Sequence, residues 1–428
     1  MVHKVTGVLA AACAVVVLAG CGSDGGHPAA PPPSTSAAPA APREPVPAAF
    51  DSARGWSISE DQDVEFARPT GAPRAGLLLV LASGPDGVHV VAHDAVTGAI
   101  RWRSAPVPEL DSGRLGSTVF VTTDGDREYA VLATTGAGED NGVDKPARST
   151  RLYVYGTDSS GSVTPEREIS LPVAVGDYWA QADGRVFLEN GDGVTVVRVA
   201  DGSMTSYPAD GAQLRPPKDC PHAIGSCADG MTVVGMTANG PLVQGFQAFW
   251  VPGGWISDDV VPSGASPNEG FRNVEIVASP DGETILAGWP TEDPTEWLWA
   301  LHDAATGHVR GSVRCDLRGA HGPSGLTPLV SDRFVLAGFT AFDLRTGQGQ
   351  CFAETAGRRA IELTAVGEDG TAYGTAGSDD TPVSVSLLTG QATPLPGGTE
   401  IPDGIAAGAA YLGTATNGGE SILVYPPA

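Results

Sequence analysis

The chain has 428 residues and a formal charge of −25; Gly and Pro number 57 and 35, and 6% of residues are aromatic. A surface this acidic repels phosphate, which excludes nucleic acid and anionic lipid headgroups as partners, and the acidity reads as a solubility feature rather than as an acidic site. Gly and Pro at this level, without a collagen-like period, favour many short strands joined by turns over long helices.

Lys4 precedes an apolar run over 8–18 and then Leu18-Ala19-Gly20-Cys21, the basic, apolar and small-residue layout of an export signal. The run is too short for a comfortable bilayer span. Leu-Ala-Gly-Cys resembles the lipobox of bacterial lipoproteins. The resemblance implies a signal peptide over 1–20, lipidation of Cys21 with a diacylglyceryl anchor in the lipid membrane, and an extracytoplasmic place on the outer face of the cell membrane. Residues 21–49 are Ala, Pro and Ser with almost no large apolar side chains, so they cannot offset the entropy of ordering and are expected to form a disordered tether. With polyproline II segments at about 3.1 Å per residue, that tether reaches up to roughly 80 Å.

Residues 50–428 carry a repeated unit. Its clearest copy, VHVVAHDAVTGAIRW over 88–102, is an alternating strand ending in His93 and Asp94, a turn closed by Thr97 and Gly98, and a second strand that carries Trp102. Weaker copies are VRVADGSMT at 197–205, LHDAATGHV at 301–309, AFDLRTGQGQ at 341–350 and VSLLTGQAT at 385–393. Turns fall near Gly98, Gly161, Gly202, Gly254, Gly307, Gly347 and Gly390, each after an apolar strand pair and before another short strand. One hairpin cannot bury its own apolar face, so a unit repeated at this spacing points to a propeller or solenoid.

The seven turns on their own give a seven-bladed ring; the termini argue for an eighth blade. GAAYLGT and ESILVYPPA form a strand pair that stops where the next outer strand is due, and Arg54-Gly55-Trp56-Ser57-Ile58-Ser59 resembles the strands after the turns, including 254–257. The expected fold is therefore an all-β, eight-bladed β-propeller in which the N-terminal strand at Trp56 completes the C-terminal blade, since closure removes the exposed sheet edges of an open array. No stretch of helix length keeps a 3.6-residue apolar period free of Gly or Pro, which excludes a TIM barrel or doubly wound sheet.

At Asp94-Ala95-Val96-Thr97-Gly98 with Trp102, at Asp303-Ala304-Ala305-Thr306-Gly307 and at Asp343-Leu344-Arg345-Thr346-Gly347, the chain resembles the PQQ-like repeat. The resemblance extends over about 50–428 and implies an eight-bladed propeller of the quinoprotein alcohol dehydrogenase type, a scaffold shared with cofactor-free lipoproteins of outer-membrane assembly. Physically, the Asp caps the turn, Thr and Gly shape it, and Trp wedges between blades. Quinone-dependent dehydrogenases of that type hold their cofactor on a tryptophan floor with an adjacent Cys pair, or with a basic residue and a calcium-binding carboxylate. No adjacent Cys pair occurs here, and Lys145 and Lys218 are the only lysines after the signal, so no cofactor is expected.

With Cys13 in the signal and Cys21 lipidated, four cysteines remain. An even number in an exported domain argues for disulfides, Cys220 with Cys227 and Cys315 with Cys351, the latter on adjacent blades. Cys220, His222 and Cys227 are the alternative as metal ligands, but lack the second ligand pair of structural zinc sites, and no metal site is assigned. The acidic loop over 138–144 lacks the closing Glu of a calcium loop and reads as solvated. His93 and His302 precede equivalent turns and are read as repeat-determined strand residues.

No catalytic residue is assigned: G-x-S-x-G and H-E-x-x-H are missing from the sequence. The richest surface candidate is aromatic. Trp179, Trp250 and Trp289, with Tyr178 and Phe249, form either a partner-binding face or blade-to-blade packing, and Trp289 before Pro290 is placed on the rim. The expected function is non-catalytic: a membrane-anchored lipoprotein that binds or scaffolds an envelope protein, with a small-molecule- or sugar-binding propeller as the alternative.

Overall fold

A computed structural model describes residues 44–59, 65–66, 69–108, 116–137, 148–172, 175–181, 183–218, 230–246, 248–266, 275–278, 281–316, 329–331, 333–416 and 419–428. Short apolar segments separated by Gly-bearing turns form eight sheets, each built on an antiparallel meander; the first also takes Gly161–Val163, parallel to Ile100–Ser104, and Glu65–Phe66 beside Leu77–Gly84. The first blade runs Thr70–Ala72, Leu77–Gly84, Gly87–Asp94 and Ile100–Ser104; the second runs Ser117–Asp124, Arg127–Ala137, Arg148–Gly156 and Arg167–Leu171. The third runs from Asp177–Gln181 to Met204–Pro208, the fifth from Glu275–Ala278 to Val309–Asp316, the sixth from Leu329–Val330 to Gly349–Cys351 and the seventh from Ile361–Val366 to Gln391–Pro394. In the fourth, Thr232–Thr237, Gly240–Gln244 and Phe249–Trp250 are joined by only a single bridge, Trp250 to Ile256, in place of an outer strand. The repeat at 88–102 supplies the third and fourth strands of its blade.

The first strands of neighbouring blades lie against one another around the ring. Ser117–Asp124 contacts both Thr70–Ala72 and Asp177–Gln181, and Gly404–Ala406 contacts both Ile361–Val366 and Thr70–Ala72. The eighth blade, Gly404–Ala406, Ala409–Thr416 and Gly419–Tyr425, takes its outer strand from the N-terminus. Trp56–Ser59 pairs antiparallel with Gly419–Tyr425, Trp56 opposite Val424 and Ile58 opposite Ile422. The ring is an eight-bladed propeller closed as the split repeat predicts.

Eight clusters of buried apolar side chains fill the eight junctions between blades. One joins Leu79, Leu81, Val90 and Trp102 of the first blade to Leu132 and Tyr155 of the second; another joins Ile58, Ile422 and Val424 of the eighth to Leu78 and Val80 of the first. A blade therefore buries both faces, and this is why the strand beginning at Leu77 reads as an unbroken apolar run instead of alternating. Among the described residues the only helices are the single turns Ala212–Leu214 and Ser257–Asp259, and no helix is long and apolar enough to cross a membrane.

One boundary moves. Residues 44–49, expected to belong to the tether, already pack on the ring: Pro47 is buried, Val46 lies against the cluster of the seventh and eighth blades, and Glu400 N–H donates to the Pro45 carbonyl at 2.7 Å. A Pro-rich segment supplies unpaired carbonyls, and here the connection between those two blades offers the donor. Phe50 then bridges to Pro427, Arg54 Nη2 donates to the Pro427 carbonyl at 2.6 Å, and Ala428 N–H donates to Ala49 at 2.9 Å, so the two ends of the described chain clasp each other.

Candidate functional site

A four-stranded meander puts its first-to-second and third-to-fourth turns at one end of the ring, and its second-to-third turns and blade-to-blade connections at the other. At the first, or turn, end lie the repeated Asp turns. Asp303 Oδ1 accepts from the Thr306 N–H at 2.9 Å and from its hydroxyl at 2.7 Å, while Gly307 N–H closes the turn on the Asp303 carbonyl at 2.8 Å. The Thr306 hydroxyl bond leads the causes that hold the Asp303 carboxyl below its usual range. Asp94 with Thr97 and Gly98 repeats this geometry. Six of the seven turn glycines expected from sequence have positive φ; in the fourth blade that role falls to Gly253 rather than Gly254.

Each of three turns receives a tryptophan from the preceding blade. Trp56, Trp102 and Trp255 donate their indole N–H to the carbonyls of Ala95, Thr157 and Ala304 at 3.3, 3.3 and 3.2 Å. A Cβ on Gly98 would sit 2.7 Å from the Trp56 ring, and one on Gly307 2.6 Å from Trp255, so glycine serves close approach as well as conformation. Trp102 also stacks on Tyr155 of the second blade, which makes it the expected wedge.

The two repeat histidines are tied into this architecture. His302 Nδ1–H donates to the Gly307 carbonyl at 2.8 Å, and its Nε2 accepts the Trp289 indole N–H at 3.0 Å. Burial pushes its pKa down to about 4, against the Gly307 bond, so the ring is neutral with both nitrogens occupied and offers no lone pair to a substrate. His93 bonds Gly98 in the same way at 3.0 Å, stacks on Trp56 and is lowered by burial.

Sequence reasoning missed three polar clamps between blades. Glu128, buried on the second blade, accepts from the backbone N–H of Arg74 and Ala75 of the first at 3.2 and 3.1 Å. Gln181 of the third blade pairs both ends of its amide with Met236 of the fourth at 3.0 Å. Arg198 grips Asp124 through two bonds at 2.7 and 2.9 Å, giving the Asp124-Gly125-Asp126 hairpin turn a partner in the next blade. None of these groups is spaced in the sequence so as to announce its partner.

The aromatic candidates separate. Trp250 and Trp289 are fully buried; the Trp250 indole donates to the Leu214 carbonyl at 2.7 Å, and Trp289 packs on Phe249 and His302. Placing Trp289 on the rim is therefore corrected: its strand, Thr284–Pro290, is buried along its whole length between two blades. Trp299 is likewise core, and Trp297 is half-buried. Trp179 is half-buried in the middle of the strand Asp177–Gln181, stacked on Phe187 with ring centroids 5.3 Å apart. Beside it on the same pair of strands, Asp177 and Glu189 face each other, and burial first, then the charge of Asp177, raises the Glu189 pKa. Phe246, in the second-to-third turn of the fourth blade, is 52% exposed.

Cys315 and Cys351 form the expected disulfide between the outer strands of the fifth and sixth blades, Cα atoms 5.5 Å apart. Cys21, Cys220, His222, Cys227 and the acidic loop over 138–144 lie outside the described residues. Among those described, no group of three His, Cys, Asp or Glu side chains is arranged to hold a metal ion.

No family model matches the chain, and no curated protein matches it in sequence. Among solved structures it is similar to the RRP9 WD40 repeats, at 11% identity over 90% of this chain and 99% of that one, with a TM-score of 0.38. It is also similar to the Dos1 propeller, at 10% identity over 86% and 93%, with a TM-score of 0.41. A third is dipeptidyl peptidase 4 of Porphyromonas gingivalis, at 9% identity over 83% of this chain but 55% of that one, with a TM-score of 0.38. The propeller assignment rests on the strand order and ring contacts described above, not on these likenesses.

Proposed function

We propose that this chain is a lipid-anchored extracytoplasmic propeller of the PQQ-like type that holds a protein partner at its loop-bearing end and performs no chemistry. The observation that carries this reading is the inequality of the two ends of the ring. The turn end is made of short turns, tryptophan docks and the clasp of residues 49–54 with 426–428. The other end receives the blade-to-blade connections, whose described parts include 209–218 and 257–266, and loops held on a rigid scaffold are where recognition concentrates. The lipobox-like Leu18-Ala19-Gly20-Cys21 and the tether after it support the anchor. The Asp, Thr and Gly geometry at 94–98 and 303–307 supports the PQQ-like repeat, with its Trp and His residues in structural roles.

The test is photo-cross-linking in the native envelope from single positions at each end, Phe246 at the loop-bearing end and Ile100 at the turn end. Protein adducts from Phe246 and few from Ile100 are expected; adducts from Ile100 alone overturn the reading. Cys21→Ala is expected to move the protein out of the membrane fraction, and unchanged fractionation overturns the anchor.

A further inference from the structure

The geometry points to a cationic protein segment with an apolar side chain as the partner, seated across the loop-bearing ends of the third, fourth and fifth blades with Phe246 as its anchor; this rests on the binding role proposed above. Phe246 is 52% exposed and is the only exposed large apolar side chain at that end among the described residues; Val96, Ile100, Met204, Val309 and Leu388 all belong to third-to-fourth turns or the outer strands that leave them, at the opposite end. Aromatic anchors in a polar surround dominate protein interfaces.

Among the described residues, the turns on either side of Phe246 carry carboxylates. On the third blade, Asp177 and Glu189 face each other and Asp192 stands in the turn between Arg185–Asn190 and Gly193–Arg198. On the fifth, Glu292 and Asp293 stand in the turn between Thr284–Pro290 and Glu296–Asp303. The Phe246 turn lies between these two in the order of the ring. The cations at this end include Lys218 and Arg314, which are already engaged by Asp259 and Glu296. The like-charge cost is visible at Glu189, whose proton affinity is raised by burial and by Asp177, and a bound cation relieves that cost. Apolar contact at the centre and opposite charge around it are the complementarity that gives register and on-rate.

The full chain is titrated with two probes, a peptide of Lys and Leu and its counterpart of Glu and Leu. The Lys peptide is expected to bind, more weakly as salt rises, while the Glu peptide does not. Phe246→Ala and, separately, Asp192→Asn with Glu292→Gln are each expected to weaken binding about tenfold. Asp201→Asn with Glu283→Gln, at the opposite end, is expected to leave it unchanged. Binding of both peptides, binding of neither, or equal loss from neutralising either end overturns the inference. Cross-links from Phe246 to a partner surface rich in Asp and Glu overturn it too, while leaving the binding role standing; cross-links only from the turn end remove both.

Discussion

The Trp56 indole N–H lies 3.3 Å from the Ala95 carbonyl, and this one bond ties the N-terminal strand, which completes the eighth blade, to the repeat turn of the first. Trp56 also covers Gly98, so the residue that closes the ring uses the same dock as Trp255 on Gly307 half a ring away.

That shared dock predicts coupling. Gly98→Ala puts a methyl at φ +73 and 2.7 Å from the Trp56 ring, so beyond about 1–2 kcal/mol of backbone strain it must displace the indole. Trp56→Ala removes the obstacle and the packing together. In a double-mutant cycle read by urea unfolding, the two substitutions are expected to cost at least about 1 kcal/mol less together than the sum of their separate costs. Strict additivity would show that Gly98 serves only conformation.

Acid should weaken the fold through His302. Its folded pKa of about 4 lies below the usual 6.5, so between those values the unfolded chain binds a proton that the folded chain refuses. Stability is complete above about pH 6.5 and falls as pH drops, by about 1.4 kcal/mol per unit and about 3 kcal/mol in all. His93, lowered by burial, adds in the same direction. His302→Gln is expected to lower stability at pH 7 yet flatten the decline between pH 6.5 and 4.5; an unchanged slope assigns the acid sensitivity elsewhere.

The sequence was legible where the repeat imposes it. Asp94, Thr97 and Gly98 could be read as a turn because Asp303, Thr306 and Gly307 repeat them, and the split repeat at the termini gave the closure between Trp56 and Val424. Trp289 was misplaced because a tryptophan before a proline looks the same at a rim as at the end of a strand buried between two blades. Glu128 and Gln181 gave no signal, since their partners are backbone groups of another blade and backbone groups carry no sequence signature. Phe246 gave none either, because exposure of a turn residue depends on the turns beside it.

Cys315 and Cys351 are separated by 36 residues, so their bond removes a loop from the unfolded ensemble and is expected to contribute about 4 kcal/mol. Urea midpoints with and without reductant measure this, and Cys315→Ser with Cys351→Ser should abolish the difference. Non-reducing peptide mapping is expected to return this pair together with Cys220 to Cys227; free thiols at 220 and 227 would remove the second pair.

Deleting residues 44–59 tests closure. The deletion removes Ile58, Phe50 and Trp56 from the junctions of the eighth blade with the seventh and first, and it leaves the strand Gly419–Tyr425 with an unpaired edge. Its physical consequence is twofold: lost burial loosens the seam, and an open edge recruits other chains. The truncated protein is expected to unfold at markedly lower urea, to be cleaved first within the eighth blade, and to run as oligomers on size exclusion. Adding the 44–59 peptide in trans should restore part of the lost stability in proportion to its concentration, because it binds only the folded ring. A truncated chain that stays monomeric and as stable as the parent would mean that the ring closes without its N-terminal strand.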